Sequence, residues 1–155
     1  RELAASMLRK AASELRMLPE VAEATALWRS GALSAAVRPL QRAAQVMETV
    51  PMPMLTLCAN GALAQALRAQ GQLVQEQEIW NRTLAKLMPP ATVPYASDAA
   101  LLALNGAISH ALHIGDAARV SELGGRARPL CSSPPLGEVS CMAAQRALAM
   151  HSSCG

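Results

Sequence analysis

Residues 59–90 read ANGALAQALRAQGQLVQEQEIWNRTLAKLMPP. Before Gly71 the apolar residues Leu63, Ala64 and Leu67 recur at helical spacing, and after it Leu73, Ile79, Trp80, Leu84 and Leu87 do the same. A glycine between two such segments ends one helix and turns the chain into the next, and Pro89-Pro90 stops the second helix. Gly31 and Gly115 stand in the same way between Ala/Leu-rich segments. The recurrence predicts helix–turn–helix units stacked side by side, an α-solenoid. Such an array presents an extended surface for holding partners rather than a pocket for chemistry.

Working outward, residues 2–17 carry Leu3, Met7, Leu8, Ala11, Leu15 and Met17 near helical spacing, and Pro19 ends that run. A second helix is expected over 21–30, closed by Gly31. A third covers 34–48, with Val37, Leu40, Ala44 and Met47 on one face, Ser34 as its cap and Pro39 loosening the first turns. After Pro51 and Pro53 come helices over 55–69 and 73–88, then a loop over 90–97. Asp98 is expected to cap a helix over 99–114, and Asp116 to cap another over 117–129. Ser132, Ser133, Pro134 and Pro135 form a break before an eighth helical stretch over 136–150. No strand-like alternation persists beyond a few residues, so the expected class is all-α.

Aligned on the glycines, Leu33, Ala36, Leu40 and Ala43 follow Gly31, whereas Leu73, Trp80 and Leu84 follow Gly71, and Val120 and Ala127 follow Gly115. This pattern resembles the tetratricopeptide repeat, whose second helix sets small and large residues at those offsets. The resemblance implies a right-handed α-solenoid of antiparallel helix pairs, about seven to eight helices. It implies repeats over 1–131 as a fragment of a longer array, followed over 132–155 by a Pro/Ser break and a terminal helix that could open a further repeat. Two departures stand out. The glycines lie 40 and 44 residues apart, against about 34 in the regular repeat. Gly124 also stands where a bulky residue belongs. Longer helical repeats of the HEAT type, or an ordinary helical bundle, are the alternatives. In the tetratricopeptide family the first helix of each pair lines the concave face, which here implies partner-facing positions at Thr25, Arg29, Gln65, Arg68, Asn105, Ser109 and His113. That set is polar and weakly basic. It lacks the Lys/Asn combination with which some members clamp a C-terminal carboxylate.

Composition narrows the function classes. Apolar residues make up 52% of the 155 and charged residues 16%, against about 25% in ordinary chains. So thin a charge layer implies a surface partly covered by neighbours. Phe is absent, leaving Trp28, Trp80 and Tyr95 as the aromatics. Twelve Arg and two Lys against eleven carboxylates give a net charge of +3. Arg126 and Arg128, or Arg38 and Arg42, are the phosphate-contact candidates, but few aromatics are available to stack bases. The uncharged runs over 49–67 and 99–115 are interrupted by proline or polar residues and do not suit a membrane span. The start at Arg1 suggests a processed product or a piece of something longer.

Nothing at catalytic spacing appears. Cys58, Cys131, Cys141 and Cys154 form no CxxC pair, so reduced, partly buried thiols are expected, with a Cys131–Cys141 disulfide as the alternative. His151 and Cys154 lack the second tight pair of a structural zinc site. His110 and His113, three apart on a helix, read as packing or surface residues. Glu76 and Glu78, in a Gln-rich run, read as a solvated face. The sequence therefore predicts no catalytic residue, no metal and no cofactor. The expected function is a noncatalytic scaffold or adaptor that docks protein partners within a multi-subunit complex. The alternative is an RNA-associated helical-repeat protein of an organellar ribosome or RNA-processing complex. The expected location is mitochondrial or cytoplasmic.

Overall fold

In the computed structural model the helices that fall wholly within the described residues are α1 (Pro19–Arg29), α2 (Leu33–Glu48), α3 (Pro53–Ala69), α4 (Leu73–Leu87), α5 (Ala96–Ile114) and α6 (Ala117–Cys131). The structure describes residues 17–131 apart from Pro94, together with Ser6, Lys10 and residues 13–15, which are helical. Among the described residues there is no strand. The break at 132–135, the helix expected over 136–150 and most of the helix expected over 2–17 lie outside them.

The three glycines close their helices in one way. At the end of α1, Gly31 (φ 80°) donates to the Trp28 carbonyl at 3.1 Å, and the Ala32 amide donates to the Leu27 carbonyl at 2.9 Å. At the end of α3, Gly71 (φ 70°) donates to Arg68 and Gln72 to Leu67, both at 2.9 Å. At the end of α5, Gly115 (φ 76°) donates to Leu112 at 3.2 Å and Asp116 to Ala111 at 2.8 Å. These are Schellman turns. The positive φ lets the chain fold back and pair carbonyls that would otherwise lose their partners at the helix end. A side chain at Gly71 would meet nothing within 4 Å, so its cost is purely conformational. Gly71→Ala should lower stability by about 1–2 kcal/mol, read from the midpoint of urea unfolding. No change in midpoint would mean that the turn is not held in this conformation in solution.

Prolines open two of the helices, although Pro19 is expected from the sequence to end the preceding run. Pro19 is the first residue of α1 and Pro53 that of α3, positions where the missing N–H costs nothing. α2 runs unbroken through the buried Pro39. Two expected caps are not caps. Ser34 lies inside α2, whose N-cap is Ala32 with no side-chain cap bond. Asp98 lies in the first turn of α5, which begins three residues earlier than the sequence suggests, behind Tyr95 at φ 63°. The aromatic ring of Tyr95 packs on the core and holds the residue in a conformation that side chains usually avoid. Asp116 does cap α6, accepting the Arg119 amide at 2.9 Å.

Each helix packs on the next in chain order, and α3 also packs on α5. One continuous apolar core runs from Leu15 and Val21 to Leu123 and Ala127. Alanines at its centre, among them Ala36, Ala64, Ala66, Ala99 and Ala103, bring backbones close together. The Trp80 ring is wedged against α5 at Gly106, where a Cβ would run into it, and lies in ordinary contact distance of Gly61 on α3.

Candidate functional site

The joint between α3 and α5 is closed by a polar latch carried on α4. Glu76 is 1% exposed. Its carboxylate accepts from Arg68 Nε at 2.9 and 3.1 Å, and Arg68 Nη2 lies 2.7 Å from Oε1. The Trp80 indole N–H donates to the same carboxylate at 3.3 Å. Arg68 Nη1 reaches Ser109 on α5 at 3.2 Å. His110, 3% exposed, places Nδ1 2.9 Å from Glu76 Oε2, although neither of its ring nitrogens makes a well-aligned hydrogen bond. Burial is the largest single influence on the Glu76 carboxyl and pushes its pKa up. The hydrogen bonds from Arg68 and Trp80, the Arg68 charge and the close approach of the His110 ring outweigh it and hold the carboxyl below its ordinary value.

The corresponding joint between α1 and α3 is open. A cleft of about 540 Å³ lies there, with Val21, Ala24, Leu40 and Ala62 as its apolar wall and Thr25, Trp28, Arg29 and Gln65 around it. Counting from the turn glycines explains the difference. Arg68 and Trp28 both stand three residues before their glycine, and Glu76 and Ala36 both stand five after. Ser109 and Gln65 stand six before theirs, and His110 and Ala66 five before. The open joint thus has Ala36 where the closed one has its carboxylate, and Trp28 where the closed one has its guanidinium. Trp28 is left 40% exposed.

The residues expected to face a partner divide accordingly. Thr25, Arg29 and Gln65 come together around the open cleft, and Thr25 Oγ1 also donates to the Val21 carbonyl at 2.7 Å. Arg68 and Ser109 come together in the latch, where the Arg68 guanidinium is already engaged. Asn105, Ser109 and His113 follow one another at helical spacing on α5, with His113 exposed and Asn105 half-buried. Trp28 is the cleft residue that sequence reading missed. It stands three and four positions on from Thr25 and Ala24, and that spacing was the available signal. Glu76 corrects the expectation of a solvated face. It shares a stripe with Ile79, Trp80, Thr83 and Leu87 on the buried side of α4, whereas Glu78 is exposed.

A smaller groove of about 320 Å³ lies between α2 and α4, edged by Gln41, Gln45, Gln75 and Glu78. Several arginines are already paired: Arg42 with Glu23 at 2.8 Å, and Arg119 with Glu122 and Asn81, each at 2.7 Å. Cys58 is a half-buried free thiol whose pKa is raised by burial, which makes it a poor nucleophile. Cys131 is disulfide-bonded, so the reduced thiol expected there is corrected. Cys141, His151 and Cys154 lie outside the described residues. Among the described residues no three His, Cys, Asp or Glu side chains cluster to hold a metal, and no helix is long and apolar enough to cross a membrane. Comparison with protein-family models, curated proteins and solved structures finds no match to this chain.

Proposed function

We propose that this chain is a noncatalytic helical scaffold, a row of antiparallel helix pairs of the tetratricopeptide kind, that docks protein partners within a larger assembly. The observation that carries the reading is the open α1/α3 joint, where Trp28 and Arg29 flank an apolar wall. Tryptophan and arginine are the residues that most often dominate protein–protein binding energy, because each offers a large contact area and a directed polar group. Three identical Schellman turns and packing that proceeds from each helix to the next support the row-like arrangement.

Affinity purification of the full chain tests it. Protein partners should co-elute at fixed stoichiometry, survive nuclease treatment and depend weakly on salt. Release by nuclease, with binding that falls steeply between about 50 and 200 mM salt, would replace the reading with an RNA-associated one.

A further inference from the structure

We infer that the open α1/α3 joint is the seat of an acidic, aliphatic peptide segment of a protein partner, with its carboxylate on Arg29 and its apolar side chain against Trp28. This rests on the docking reading above and specifies the chemistry of what is docked. The closed joint shows how such a seam is filled in this molecule. There a carboxylate, supplied by Glu76, meets an arginine and a tryptophan N–H between neighbouring helices. In the open joint no described residue supplies a carboxylate, because Ala36 stands at the position of Glu76. Among the described residues Arg29 has no ion-pair partner and is the one ionisable residue lining the cleft. A carboxylate brought in by a partner would meet a planar fork of donors with no competing acid among the described lining residues. The cleft falls in the size range of sites that bury a few side chains. The half-exposed indole of Trp28 and the adjoining wall favour an aliphatic neighbour over a second charge.

The test is NMR titration of the full chain with two probes of equal length, an acetylated Leu-Asp-Leu-Glu amide and an acetylated Leu-Lys-Leu-Lys amide. The acidic peptide should move the Trp28 indole N–H and the Arg29 Nε–H, leaving the buried Trp80 indole in place. It should do so at concentrations at least about tenfold lower than the basic peptide. Arg29→Glu, an exposed substitution checked for folding by circular dichroism, should reverse the preference, and Trp28→Ala should weaken the response to the acidic peptide. Equal responses to both peptides, or none up to about 10 mM, would overturn the inference. So would acidic-peptide shifts confined to Gln45, Gln75 and Ile79 of the other groove. That last result would move the seat but leave protein docking standing, whereas failure of the co-purification would remove docking itself.

Discussion

Trp80→Ala should cost about 3–5 kcal/mol of folding stability, because it empties a large wedge at the meeting of α3, α4 and α5. Two glycine substitutions sharpen the expectation. Gly61→Ala places a methyl at an ordinary 3.9 Å from the Trp80 ring, so the better helix propensity of alanine should stabilise by up to about 1 kcal/mol. Gly106→Ala drives the same methyl into the ring, which is held on all sides, and should destabilise by about 1–3 kcal/mol despite the same gain in propensity. Combining Gly106→Ala with Trp80→Leu should recover part of the loss, because the smaller side chain vacates the space. The coupling energy from the double-mutant cycle, measured by urea unfolding, should be about 0.5–3 kcal/mol. Additive effects would mean that the indole does not lie over Gly106.

Arg68→Ala should be about as damaging as the loss of the tryptophan, at about 3–5 kcal/mol, because it leaves the Glu76 carboxylate buried beside a histidine with no fixed cation. Glu76→Gln should cost less, about 1–2 kcal/mol. The Arg68 side chain is one-third exposed and can turn to water, and the amide still accepts from Trp80. The asymmetry follows from which partner is buried. It also fixes the pH dependence. The Glu76 carboxyl lies below its ordinary value in the folded chain, so its contribution is complete above the unfolded-state pKa and is lost as pH falls through the folded one. In Arg68→Ala the strongest source of that lowering is gone. Burial then favours the protonated acid, and the deficit relative to the parent should shrink as the medium is acidified. Asp98 acts in the opposite sense. Burial raises its pKa, so protonating it on acidification favours the fold. Thermal unfolding of parent and variant across the acidic range measures the difference directly, and parallel pH profiles would refute the role given to Arg68.

The helices and their ends were legible in sequence because glycine turns are local chemistry. Gly31, Gly71 and Gly115 each need a positive φ, and each announces itself between two periodic segments. Starts were harder to read. α2, α3 and α5 lack side-chain caps, so Ser34 and Asp98 drew attention that the backbone does not repay. The left-handed Tyr95 had no signal at all, because only tertiary packing holds a bulky residue there. The site was legible in part. Thr25 and Gln65 fall around one cleft because each stands six residues before its glycine, and Arg29 joins them one helical turn on from Thr25. Glu76 was misread for its neighbours: the Gln-rich run looks wet, and only its phase with Ile79, Trp80 and Thr83 shows that it points inward. That Arg68 completes the latch depends on α3 lying against α4 and α5, which no local pattern encodes.

The unequal glycine intervals have a simple origin. The connection between α2 and α3 covers residues 49–52 and that between α4 and α5 covers 88–95, four residues against eight, while the small differences in helix and turn length cancel. Slack in this molecule is therefore confined to its proline-bearing connections, and the glycine connections admit none. Grafted epitopes, fluorescent reporters or cleavage sites should be accommodated over 88–93 with the helices undisturbed. The same cargo spliced beside Gly71 would pull apart the very hairpin that the latch secures.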